Sequence, residues 1–252
     1  MLYNERAELI LQQVQLQAIV KISDLTELLQ VSVDTVRRDL KSMEQKGLIK
    51  CIRGGACLPD SLSSLSNFTG REIIHEELKR EAARKAVSYV KTDSVIALNS
   101  GTTNTILAQE LVQRNDSFTV ITNNFAAIPI LMQNSSIHVI AVGGMLDAME
   151  KSTYGSNCEK EFGQYYPDIA FLSINAINYK DGFSDFRFLE MGIIQLLAQR
   201  AKQVIAIMDS SKLGKRSKAK VLSLDQVDLL LTDQRVSEEL KEKYRTKGLE
   251  IV

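Results

Sequence analysis

The chain has 252 residues, with 31 Lys and Arg balanced by 31 Asp and Glu, so its formal net charge is zero. That length predicts one or two domains with ample core-forming residues in the larger one. No apolar run is long enough to span a bilayer, the N-terminus lacks a signal-peptide pattern, and three cysteines do not make a disulfide framework. A cytoplasmic chain with no membrane partner, no cofactor and no metal is therefore expected, His75 and His138 having no ligand-type neighbours at metal spacing.

In chain order, Asn4 to Val14 carries Ala7, Ile10, Leu11 and Val14 on one face, which predicts a first support helix. Ser23 is placed to cap a short helix holding Leu25, Leu28 and Leu29. The turn Gln30-Val31-Ser32 leads into a second helix, with Ser32 at the N-cap and Val36, Leu40 and Met43 as its apolar stripe. Arg37, Arg38 and Lys41 fall off that stripe, where the phosphates and base edges of a duplex would lie. Lys50 to Leu58, with Ile52 and the pair Gly54-Gly55, predicts a two-stranded wing. Between Val33 and Gly55 there are six basic residues (Arg37, Arg38, Lys41, Lys46, Lys50, Arg53) and three acidic ones (Asp34, Asp39, Glu44). Such a local excess is what a small DNA-binding module needs. A solvated helix face would share the charge, but not the cap, turn, stripe and wing together. Cys51 and Cys57 flank the wing as a redox pair or, more simply, as small residues on short strands.

The serine-rich stretch from Pro59 to Asn67 predicts a linker, with Leu62 and Leu65 partly docked. A charged amphipathic helix over Arg71 to Val90, with Ile74, Leu78, Ala82 and Ala86 inward, opens the second domain. Buried strands are expected at Ser94–Leu98, Phe118–Thr122, Ile137–Val142 (with His138 packed), Asp168–Ile174, Val204–Met208 and Leu229–Thr232, alternating with helices. One of those helices carries Ile106, Leu107 and Leu111, and another runs through Met132. That alternation implies βαβ units and a largely parallel sheet, whose ligands bind at the carboxyl ends of the strands. The domains are thus read as 1–58, a linker over 59–70, and 71–252.

The predicted strand ends are small and polar. Asn99-Ser100-Gly101-Thr102-Thr103 opens directly into a helix, where a glycine and the helix dipole favour an anion and the hydroxyls of Ser100, Thr102, Thr103 and Thr105 can donate. It lacks a Walker lysine, so nucleotide hydrolysis is not indicated, and an ordinary helix cap explains the turn about as well. Thr122-Asn123-Asn124 and Asp209-Ser210-Ser211-Lys212 follow two further strands, offering a carboxylate for sugar hydroxyls and a cation for phosphate. Polar groups converging from three strand ends favour a site.

The run Val31-Ser32-x-x-Thr35-Val36-Arg37-Arg38-Asp39-Leu40, with Gly47-Leu48-Ile49 and Arg53-Gly54-Gly55-Ala56, resembles the DeoR-type family of bacterial transcriptional regulators. Ser100-Gly101-Thr102-Thr103, Thr122-Asn123, Gly143-Gly144, Gly155, Asp168-x-Ala170-Phe171 and Asp209-Ser210-Ser211-Lys212 are similar to blocks of that family's sensor domain. The resemblance implies an α+β two-domain chain: a winged helix-turn-helix, then an α/β domain similar in fold to ribose-5-phosphate isomerase and the CoA transferases. It implies DNA contact by Thr35, Arg37 and Arg38, a phosphorylated sugar or related effector with its phosphate on Ser100 to Thr103 near Asp209 and Lys212, and a homodimer or homotetramer that represses a catabolic operon.

Three departures stand out. Lys50 and Arg53 stand where the family's wing has a basic residue and a histidine. Asn175 is followed by Ala176 rather than glycine. Glu190 is followed by Met191, with no lysine before Lys202. The sugar end of the pocket is therefore expected to be unusual. Besides a ligand-released repressor, two other functions fit: a constitutive DNA-binding protein, or a sugar-phosphate isomerase or transferase with Glu190 as base. The missing lysine disfavours catalysis, so no catalytic residue is assigned.

Overall fold

The computed structural model describes residues 1–17, 19–52, 54–59 and 68–252. The chain divides into two compact units, Met1–His75 and Glu76–Val252.

The first unit contains α1 (Tyr3–Gln17), β1 (Ile19–Lys21), α2 (Ile22–Leu29), α3 (Val33–Gln45), β2 (Lys50–Ile52), β3 (Gly55–Cys57) and α4 (Phe68–Ile73). The stripes read from the sequence form its core: Ala7, Ile10, Leu11 and Val14 pack with Leu25, Leu29, Val36, Leu40 and Met43. The wing has a third strand that the sequence did not show, because β1 pairs with β3 and the sheet runs β1-β3-β2. Gly55 permits this approach, since a Cβ there would lie 2.0 Å from the Val20 carbonyl oxygen. Ser23 does not cap α2. The helix starts one residue before it, after an extended Lys21, and the Ser23 hydroxyl donates to Asp24 instead.

The helix expected over Arg71 to Val90 is broken. α4 ends at Ile73, His75 takes a left-handed φ of 56°, and α5 (Glu76–Val87) starts anew in the second unit. Ile74, expected on the inner line of the second domain, packs against the core of the first. The linker stretch 60–67 lies outside the described residues.

The second unit continues with β4 (Val95–Leu98), α6 (Thr102–Leu111), β5 (Phe118–Thr122), α7 (Ile128–Leu131), β6 (Ile137–Ala141), a hairpin of β7 (Met145–Asp147) and β8 (Ser152–Tyr154), and α8 (Ser156–Phe162). Then come β9 (Ile169–Leu172), β10 (Ala176–Asn178), β11 (Gly182–Asp185), α9 (Met191–Arg200), β12 (Gln203–Ile207), β13 (Ala219–Leu222), β14 (Leu229–Leu231), α10 (Glu238–Arg245) and β15 (Glu250–Ile251). Seven strands form one parallel sheet in the order β15-β14-β12-β9-β4-β5-β6, and β10-β11-β13 form a small antiparallel sheet.

The central strands are apolar throughout because both faces are covered. Ala97, Ile121, Ala170, Leu172 and Ala206 pack on the side of α8 and α9, against Phe162, Ile193 and Leu197. Ile96, Leu98, Val120, Phe171 and Ile205 pack on the side of α5 and α6, against Ala82, Ala86, Leu107 and Leu111. Each fully buried Leu, Ile or Phe contributes roughly 1.5–3 kcal/mol. His138 is exposed rather than packed, since β6 is the edge of the sheet and the side chain alternates outward.

Candidate DNA interface and effector site

α3 is built as a presented helix. Gln30 makes the left-handed turn with φ 51°, and the Ser32 hydroxyl accepts the Thr35 backbone N–H at 3.2 Å and lies 2.9 Å from the Thr35 hydroxyl. Val36, Leu40 and Met43 are buried, while Arg37, Arg38 and Lys41 are exposed. Arg37 lies 3.6 Å from Asp34, and Arg38 Nε donates to the Asp34 carbonyl at 3.3 Å. Lys50 is exposed on β2, and Arg53 lies outside the described residues. The motif's aspartate is turned inward. Asp39 is 5% exposed and takes a two-pronged ion pair from Arg6 of α1, at 2.6 and 3.0 Å. A signal for it existed: an acid next to Leu40 on the apolar side of a helix needs a cation. The Tyr3 hydroxyl reinforces the clamp, 3.0 Å from that of Ser42.

The two wing cysteines are free, and their register argues against a bridge between them. Cys51 pairs across the wing with Ala56 and Cys57 with Lys50, so their side chains leave opposite faces of the sheet.

In the second unit, β12, β9, β4 and β5 are parallel neighbours, so the segments after them emerge along one edge. Hydrogen bonds latch these ends together. Asn99 Nδ2 donates to the Ser173 carbonyl at 3.1 Å and the Ser173 N–H returns to Asn99 Oδ1 at 2.8 Å. Asn124 Nδ2 donates to the Gly101 carbonyl at 3.2 Å. Gly101 precedes α6 with φ 134°, and a Cβ there would lie 2.5 Å from Ser173 Oγ. Ser100, Thr102 and Thr103 are all buried at this turn.

Besides Glu190, the cluster's charge comes from Asp185 and Arg187, which the sequence did not single out. Arg187 is buried, paired with Asp185 at 2.7 Å, and donates to the carbonyls of Ser100 at 2.9 Å and Ser173 at 2.8 Å. Burial would push the Asp185 carboxyl up, but the Arg187 charge and hydrogen bonds hold it below its ordinary range. Glu190 lies three residues on. Its Oε1 accepts from Asn123 Nδ2 at 2.8 Å, and burial pushes its carboxyl above the usual range against the pull of Arg187, Ser100 and Asn123. Asn175 contributes its backbone N–H to Asp185 at 3.0 Å. Ala176 sits in ordinary paired strand opposite Ser184, so nothing there requires glycine. The buried cation of this cluster, Arg187, stands three residues before Glu190 in the chain.

Ser100, Gly101, Asn123, Asn175 and Glu190 therefore meet in one network with Thr102 and Thr103 at its helix end. Asp209 and Lys212 follow β12 on the same edge, but the hydrogen bonds of their turn run toward β14. Asp209 accepts from Ser211, and the Ser210 N–H donates to Asp233 at 2.6 Å. Glu190 Oε2, Asn123 Oδ1 and Asp209 Oδ2 are buried acceptors without a hydrogen-bond partner.

A DeoR-like helix-turn-helix domain matches residues 6–62, and a DeoR C-terminal sensor domain matches 74–234. The transcriptional regulator GolR of Listeria innocua is 31% identical over 92% of this chain and 91% of its own length. The repressor GlcR of Bacillus subtilis is 31% identical over 89% and 86%, and the repressor CsqR of Escherichia coli 26% over 99% and 95%. Among solved structures, a chain of the tetrameric eIF2B-beta2-delta2 complex from C. thermophilum aligns with a TM-score of 0.50 at 13% identity, over 97% of this chain and 88% of that one. A ribose 5-phosphate isomerase from Methanocaldococcus jannaschii aligns at 0.41 and 22%, over 55% and 54%. With both halves of its sequence matched in order, the chain belongs to the DeoR family of transcriptional regulators.

Proposed function

We propose that the chain represses a sugar-catabolic operon and is released by a phosphorylated sugar or related metabolite. The observation that carries the DNA half is α3, whose buried, capped and clamped face leaves Arg37, Arg38 and Lys41 exposed together. Ser32 and Thr35 at its start, and Lys50 and Arg53 of the wing, complete the contact set. In a homodimer or homotetramer, two such helices would meet successive major grooves about 34–36 Å apart. Relatives named as repressors favour repression over activation.

The effector half rests on the Gly101 turn and the unpartnered acceptors beside it. The phosphate sits on the Ser100 to Thr103 turn, with the sugar hydroxyls on Asn123 and Glu190, Asn175 behind them, and Asp209 and Lys212 at the neighbouring strand end. An effector shifts operator occupancy only as far as its affinity differs between the two states of the protein. Binding rather than turnover is favoured because the relatives reported above are named as regulators.

The test is fluorescence anisotropy on the chain's own upstream DNA, titrated with phosphorylated sugars at fixed salt. Release by one compound, but not by its unphosphorylated form, is the expected result. Tight binding that no compound releases would leave a constitutive DNA-binding protein. Sugar-phosphate turnover that vanishes in Glu190→Gln would make it an enzyme.

A further inference from the structure

The nine residues from Lys212 to Lys220 hold five cations and no acid, in a chain whose net charge is zero. The fold brings more charge to the same place. The segment runs along the β10–β11 hairpin, with the Lys215 N–H on the Ile177 carbonyl at 3.1 Å and the Ser217 N–H on the Ser184 hydroxyl at 2.8 Å, before β13 pairs with β11. Lys180 in the hairpin turn and Lys247 after α10 join Lys220 around a cleft of about 500 Å³. Lys180, Lys215, Arg216, Lys218, Lys220 and Lys247 are all exposed. Two carboxylates accompany them: Asp181, 3.8 Å from Arg216, and Asp225 on the cleft wall.

A like-charge cluster of this kind repels itself and draws in a polyanion. We infer that this face of the sensor domain binds the phosphate backbone of DNA, as a second contact in addition to that of α3. The inference rests on duplex DNA being the ligand of the first unit. The contact carries no sequence information; it adds affinity and salt dependence. The occupant is a duplex rather than a small anion because the cations are spread along a loop, a strand and a hairpin turn, with only part of them around the cleft.

The experiment compares the wild-type chain with a quadruple variant, Lys180→Gln, Lys215→Gln, Lys218→Gln and Lys220→Gln, on a long duplex carrying its own upstream DNA. All four side chains are exposed, and a companion with arginine at the same positions controls for charge. If all four meet phosphates, the slope of log affinity against log salt falls by about 3–4 in the glutamine variant. Between about 50 and 200 mM salt the wild type then loses roughly a hundredfold more affinity than the variant does. The arginine companion keeps the wild-type slope. Equal slopes for wild type and glutamine variant overturn the inference while leaving α3 as the DNA contact. No binding of the wild-type chain to any duplex would withdraw the reading of α3, and this one with it.

Discussion

Arg6 and Asp39, thirty-three residues apart, form a bidentate ion pair that ties α1 to α3 within the helix-turn-helix unit. Both side chains are mostly buried, at 14% and 7% exposure. Asp39 thus stands between the exposed Arg38 and Lys41 while itself facing inward, where Arg6 cancels its charge.

Arg6→Ala leaves the Asp39 carboxylate without its partner and is expected to cost about 1–3 kcal/mol of stability. Urea unfolding of the variant should show a lower midpoint at an unchanged slope. An unchanged midpoint would mean that the pair does not hold the helix.

Arg37 and Arg38 are both exposed on α3. Arg37→Ala should cost ~1–3 kcal/mol on operator DNA and relax specificity if it reads a guanine. Equal losses on operator and random duplexes would make it a phosphate contact. The comparison is made by anisotropy at one salt concentration.

Gly101→Ala places a Cβ 2.5 Å from Ser173 Oγ at a φ of 134°, which an L side chain rarely adopts. The Gly101 turn should deform; on the proposed effector site, operator affinity then persists and metabolite release is blunted. Thr102→Ala should act in the same direction more weakly. Full release in both variants, in the same titration, would remove the phosphate from this turn.

The buried carboxyls predict opposite pH responses. Glu190 is raised from an ordinary 4.5, so it holds its proton more tightly folded than unfolded and stability falls as pH rises from that value through the folded one. Glu190→Gln should remove this decline. Asp185 is lowered from 3.8, so its contribution is present above that value and lost as pH falls through the folded one. Urea midpoints between about pH 3 and 8 separate the two. A wild-type profile that matches Glu190→Gln throughout would show that folding does not raise the Glu190 carboxyl.

Cys51, whose thiol is pushed up to about 11 chiefly by burial and by Glu44, should react slowly with alkylating reagents at neutral pH. Mild oxidation should leave operator affinity unchanged, because Cys51 and Cys57 point from opposite faces of the wing. Mass spectrometry after alkylation checks the first point and anisotropy the second; a Cys51–Cys57 bridge that alters affinity would contradict both.

Local chemistry made much of this legible in the sequence alone. Ser32 as a cap, the stripe Val36-Leu40-Met43, the apolar strand runs and the small polar residues after them each act through neighbours a few positions away, and so leave a pattern in sequence. What lay beyond reach depends on partners far along the chain. The Arg6–Asp39 clamp, the third wing strand, the strand order that brings Asn99, Asn123 and Ser173 to one edge, and Arg187 on Ser100 join residues tens of positions apart. The helix break at His75 belongs with them, since Ile74 could pack in either unit and the tertiary core chose the first. Periodicity says which face of an element is buried, and only the assembled sheet and core decide against what.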